Sequence, residues 1–218
     1  MSDGVDGRPA CQRLTEALER AVRSPDPWVL DLDRLAGRSI PQGQIAPVEP
    51  LVEALAVRPG LALVGGLVEG IVLEVALAAQ SIVAEPASLF RSAGGGAHHL
   101  SGTPWRLSAR VGPARALAFW LHERGWRARR ALAAGLVDAV SVDLGGFSER
   151  WARAAASRSR ALEALRLLQR SGGALCQSAA LGLERALFAL AFADEAPRRG
   201  ARAILQSAPC RDEADRGS

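Results

Sequence analysis

The chain has 218 residues and 22.9 kDa, 49% hydrophobic and 23% charged, enough for one globular domain with a sizeable core and too apolar for wholesale disorder. Its 27 cations are all arginine, against 23 acids, with no lysine, tyrosine or asparagine, which excludes a lysine Schiff base, a Walker-type phosphate loop and a tyrosine acid. Cys11, Cys176 and Cys210 are widely spaced and form no C-x-x-C pair, so neither a disulfide scaffold nor a zinc site is indicated.

Met1 to Arg8 is acidic and glycine-rich, unlike a signal peptide, and a cytoplasmic location is expected. From Ala10 the spacing of Leu14, Ala17, Leu18, Ala21 and Val22 predicts an amphipathic helix. Pro25 and Pro27 end it. Trp28 to Leu32 reads as a short strand, Leu35 to Pro47 as a loop, and Val48 to Val57 as a second helix. Gly60 to Val64 is a buried strand, followed by glycines, an apolar helix over Val68 to Ala79 and a strand over Ser81 to Ala84. Strand, turn, helix and strand within one crossover predict an α/β layer with a parallel sheet. Glu69, Glu74 and three glycines make the apolar stretch Gly60 to Ala79 a poor membrane span.

Gly94 to Gly96 with His98 and His99 form an irregular loop. From Pro113 the chain reads as almost wholly helical: Ala114 to His122, Arg127 to Ala134, Phe147 to Ala156, Arg160 to Gln169, Leu175 to Phe192 and Pro197 to Gln206. Only Ala139 to Val142 reads as a strand there. The tail Cys210 to Ser218 is charged and expected to fray. The pI near 10.0 reflects arginine without lysine and tyrosine buffering. Charges of both signs then read as a solvated surface, and the five dispersed tryptophans build no stacking platform for nucleic acid.

The segment Arg58 to Phe90, RPGLALVGGLVEGIVLEVALAAQSIVAEPASLF, resembles without a gap the K-P-x-I-A-x-V-x-G-x-x-x-G-G-G-x-E-L-A-L-A stretch of the enoyl-CoA hydratase/isomerase, or crotonase, superfamily. Arg106 to Gly112 resembles its R-L-x-R-x-V-G, and Ala131 to Asp138 its A-x-x-x-G-L-V-D/N, in the same order and spacing. The resemblance covers roughly Leu14 to Pro209. It implies a crotonase-like spiral of β-β-α units over residues 1–140, a C-terminal helical trimerisation region over 141–209 and a frayed tail over 210–218. It also implies an α/β fold class, a homotrimer or hexamer, and an acyl-CoA or acyl-carrier-protein thioester as substrate. Coenzyme A or phosphopantetheine then enters as part of the substrate, with no separate cofactor, metal, membrane or nucleic acid.

The family chemistry uses two backbone N–H groups as an oxyanion hole for the thioester enolate, and carboxylates that move protons on the adjacent carbons. By resemblance the second donor is Ile71, after Gly70, where a helix start also favours negative charge. Glu74 takes the place of the first catalytic glutamate, as acid/base. The second glutamate's place falls on Gly94, which argues against a two-glutamate hydration. Ala36, in Ala36-Gly37-Arg38-Ser39, is the counterpart of the first oxyanion loop, and little room remains before Ala10 for the usual hairpin, so a trimmed sheet edge is expected. His98 and His99 are outside candidates for acid/base work, and Arg106 and Arg110 for a carrier phosphate, with surface or interface salt bridging as their commoner fate. Glu69 is a pocket residue or a helix-cap acid. Two functions follow: a hydratase, isomerase or lyase of polyketide or other secondary metabolism, or an inactive accessory subunit paired with an active relative.

Overall fold

The computed structural model describes residues 10–32, 48–92, 103–122 and 124–157, with isolated positions beyond. Met1–Arg166 forms one compact unit and Leu167–Ser218 a second. The expected helices over Arg160 to Gln169, Leu175 to Phe192 and Pro197 to Gln206 are described at scattered positions only, among them Leu162, Leu165, Leu181, Gly182 and Leu183, which are helical, and the tail lies outside the described residues.

The first unit begins with helix α1 (Ala10–Arg23), which buries Leu14 and Leu18 one turn apart and pairs Arg23 with Glu19 at 2.7 Å on its solvent side. Its C-terminal carbonyls are met by Arg58: Nη1 donates to Ala21 O at 2.9 Å and Val22 O at 3.2 Å, and Nη2 donates to Ser24 O. A cation here also suits the negative end of the helix. Strand β1 (Trp28–Asp31) follows, then helix α2 (Glu49–Ala56), which carries Pro50 in its first turn and buries Val52 and Leu55.

Strand β2 (Gly60–Val64) is buried throughout. Ala62 and Val64 join the main core, whereas Leu61 and Leu63 pack with Val83, Phe147 and Trp151 in a smaller cluster. That period of two means the sheet is covered on both faces, as a parallel sheet requires. After Gly66, at φ +56°, come the two-residue strand β3 (Leu67–Val68), helix α3 (Gly70–Ala78) and strand β4 (Ser81–Ala84). Strand β5 (Leu89–Phe90), helices α4 (Thr103–Val111) and α5 (Pro113–Leu121), strand β6 (Trp126–Arg127), helix α6 (Ala128–Ala134), strand β7 (Ala139–Val140) and helix α7 (Leu144–Ala156) complete it.

The main sheet has the order β1-β2-β4-β7, parallel throughout, with β1 at one edge. The expected β2-helix-β4 crossover is therefore present. A second sheet, β3-β5-β6, pairs β3 and β5 in parallel and β5 with β6 antiparallel. Three expectations are corrected. The apolar helix starts at Gly70, because Leu67 and Val68 bond into β3; Arg127, the expected first residue of a helix, pairs with β5, and the helix starts at Ala128; and residues 103–111, for which no helix is expected, form α4. Gly125, at φ +70°, makes the β6 pairing possible, since a Cβ there would meet Phe90 O at 2.4 Å.

Candidate functional site

The candidate site is the start of α3. The buried β2 delivers the chain through Gly65 and Gly66 to β3, and Glu69 precedes the helix in extended conformation. Gly70 adopts φ +55° with open space where a Cβ would stand. Ile71 is the second helical residue, so its N–H is one of the first four amides that no helix satisfies internally. Its side chain is 6% exposed and belongs to the main core.

One turn on stands Glu74, 3% exposed. Every residue of α3 from Ile71 to Ala78 is buried, so the helix is enclosed on all sides. Among the described residues the buried polar side chains are Glu74, Ser88, Thr103 and Arg106, so Glu74 is the sole buried acid. A buried carboxylate is retained only where its surroundings compensate it. The helix places that group three residues after Ile71, so the two side chains share one face of α3.

Glu69 does not cap α3 with its side chain. Its Oε2 accepts from Arg91 Nε at 2.8 Å and Nη2 at 2.7 Å. Arg91 is brought there by the β3–β5 pairing, its own N–H donating to Val68 O at 3.1 Å. Sequence reasoning missed Arg91, because two residues 22 apart meet only once the short strands pair.

Arg106 and Arg110 are the candidates the structure redirects. Arg106 is buried and donates to Glu53 of α2. Its Nη1 and the Thr103 hydroxyl, one turn away on α4, are buried without a hydrogen-bond partner. Arg110 donates from Nε to Leu136 O at 2.8 Å, from Nη1 to Ala79 O and Gln80 O, and from Nη2 to Asp138. Burial lowers its guanidinium from the ordinary arginine value, and Asp138 opposes that shift. Both arginines thus tie α4 into the fold, Arg106 to α2 and Arg110 to the chain around β7. Ala36, Gly94, His98 and His99 lie outside the described residues.

No protein-family profile and no curated protein matches the chain. Solved structures do. An enoyl-CoA hydratase/isomerase from Cupriavidus metallidurans CH34 superposes with a TM-score of 0.73 at 24% identity, over 91% of this chain and 84% of that one. An enoyl-CoA hydratase from Bacillus anthracis gives 0.73 at 18% identity, over 90% and 85%. DspI from Pseudomonas aeruginosa gives 0.70 at 22%, over 90% and 84%. The chain has the crotonase fold. It is a divergent sequence on that fold, and the motif of Arg58 to Phe90 builds β2, β3, α3, β4 and β5, the elements that surround the Gly70 turn. Among the described residues no helix is long and apolar enough to cross a membrane.

Proposed function

We propose that this crotonase-fold protein acts on an acyl thioester, carried by coenzyme A or by a carrier protein, through an enolate. The carbonyl oxygen accepts from the Ile71 N–H, and Glu74 is the proton carrier. The observation that carries this reading is the placement of the sole buried acid among the described residues one turn after a helix-start amide. Two solved structures of this fold are named enoyl-CoA hydratase or hydratase/isomerase.

The chemistry suits one carboxylate. Glu74, ionised, takes a proton from the carbon next to the thioester carbonyl. The C–H electron pair moves into the enolate, whose oxygen is held by the Ile71 N–H at the positive end of α3. Returning the proton two carbons away shifts a double bond; expelling a group from the β-carbon completes an elimination instead. Gly94 stands where hydration would use a second glutamate, which favours isomerase or lyase chemistry over hydration.

The test is a panel of enoyl- and 3-hydroxyacyl-thioesters offered to the wild type and to Glu74→Gln. Turnover lost in the variant supports the proposal, and equal turnover in both removes Glu74 from it. A second reading, an inactive crotonase-like accessory subunit of a thioester enzyme or polyketide-type synthase, draws on the β-branched Ile71 where the motif has glycine. It predicts no turnover by the isolated chain on any thioester, and a stable complex with an active relative.

A further inference from the structure

Residues 112 to 137 carry Arg115, Arg124, Arg127, Arg129 and Arg130 against one acid, Glu123. This stretch accounts for the chain's whole formal charge of +4, and the remaining residues balance. It comprises α5, β6 and α6, and all five arginines are exposed. Five arginines elsewhere are occupied: Arg23 by Glu19, Arg58 by carbonyls, Arg91 by Glu69, Arg106 by Glu53 and Arg110 by Asp138. Among the described residues no carboxylate pairs with Arg115, Arg124, Arg127 or Arg129.

Arg130 is held in position. Its guanidinium carbon stands 5.1 Å from the Trp126 ring centroid, and Nη1 lies 2.8 Å from His122 Nε2. A guanidinium only donates, so His122 Nε2 is the acceptor in this contact. That bond ties the first turn of α6 to the end of α5. There, Leu117 and Leu121 are exposed one turn apart on the same face. Arg124, Arg127, Arg129 and Arg130 thus gather at the connection from α5 to α6, with the exposed Leu121 at its edge.

We infer that this surface docks an acidic protein which carries the acyl thioester and presents carboxylates along a helix. The nature of its cargo rests on the function proposed above; its charge and shape do not. Arginine pairs with carboxylates in bidentate fashion. Two leucines a turn apart fit the groove of a helical partner but offer too little apolar area to enter a bilayer. Single-stranded nucleic acid would need a row of exposed stacking rings, whereas Phe119 and Trp126 in this stretch are buried and Trp120 is half-buried.

The experiment measures fluorescence anisotropy of a labelled acidic acyl carrier protein, in its apo form, against the full chain at about 50 mM salt, where charge contacts are least screened. The comparison variants are Arg124→Glu/Arg127→Glu/Arg129→Glu and, with the same charge change elsewhere, Arg20→Glu/Arg150→Glu/Arg153→Glu. The docking surface predicts that the first variant weakens Kd by about tenfold or more and the second by less than about twofold, with binding falling as salt rises. Should the triple variant not fold, Arg124→Glu and Arg129→Glu singly each weaken Kd by about threefold. Equal loss in the two triple variants overturns the inference. So does no carrier binding by the wild type, or tighter binding of single-stranded DNA or phosphatidylserine vesicles than of the carrier. Apo carrier binding needs no turnover: carrier bound with every thioester unreacted defeats the catalytic reading alone, and thioesters turned over with no carrier bound defeats the docking inference alone.

Discussion

The indole of Trp28 occupies the space that a side chain on Gly60 would need. The two residues are register partners across β1 and β2, and a Cβ on Gly60 would lie 1.9 Å from Trp28 Cε2. Trp28 Nε1 donates to Leu55 O at 3.1 Å, which pins the ring between α2 and the edge of the sheet. The segment entering the candidate site is therefore fixed at its first residue.

Gly60→Ala forces the ring or the strand to move, and overpacking of this kind destabilises by about 1–3 kcal/mol. The expected outcome is a lower urea midpoint with an unchanged slope. A midpoint equal to wild type would show that the ring relocates freely.

Arg58→Ala removes the donors that meet the last carbonyls of α1. Hydrogen bonds from a charged group contribute about 1.5–3 kcal/mol, and a loss in that range is expected. Arg58→Lys should recover only part of it, because one ammonium cannot span carbonyls on both sides of the Arg58 fork. Thermal unfolding of the three proteins gives the comparison.

Asp138→Asn leaves the part-buried Arg110 without its counter-charge while keeping an oxygen for the Ile82 N–H, which donates to Asp138 at 2.7 Å. Asp138 is half-exposed, so the loss should be about 1 kcal/mol, the scale of a solvent-screened pair. In the Arg110→Met/Asp138→Asn double variant no charge remains to be stranded, so its loss should be smaller than the sum of the two single losses. Additive losses in chemical denaturation would contradict the coupling.

Arg91→Ala breaks a part-exposed ion pair, and its effect on stability should stay below about 1 kcal/mol. Melting temperature within a few degrees of wild type is the expected readout. A large drop would mean that the Glu69–Arg91 pair holds β3 and β5 together.

The parallel β2-α3-β4 crossover was legible because long apolar runs and glycines mark it without help from distant residues. The strands β3, β5 and β6 were not, since two residues carry no periodicity and their partners lie about 20 to 40 positions away. The fate of the arginines was equally hidden. Arg106 meets Glu53 from 53 positions away, and Arg110 meets Asp138 from 28, so composition could count these charges but not pair them. At the candidate site, motif resemblance pointed to Glu74 and Ile71, whereas the full enclosure of α3 and the Glu69–Arg91 pair depend on tertiary packing.

The most direct test of the central claim is exchange of solvent deuterium into the carbon next to the thioester carbonyl, followed by NMR with wild type and Glu74→Gln on a 3-enoyl thioester, whose α-carbon carries the acidic protons. If Glu74 moves that proton, the wild type exchanges it and the variant is slower by about 100-fold or more, the usual scale of a positioned acid/base. Equal exchange rates in the two proteins would contradict the account.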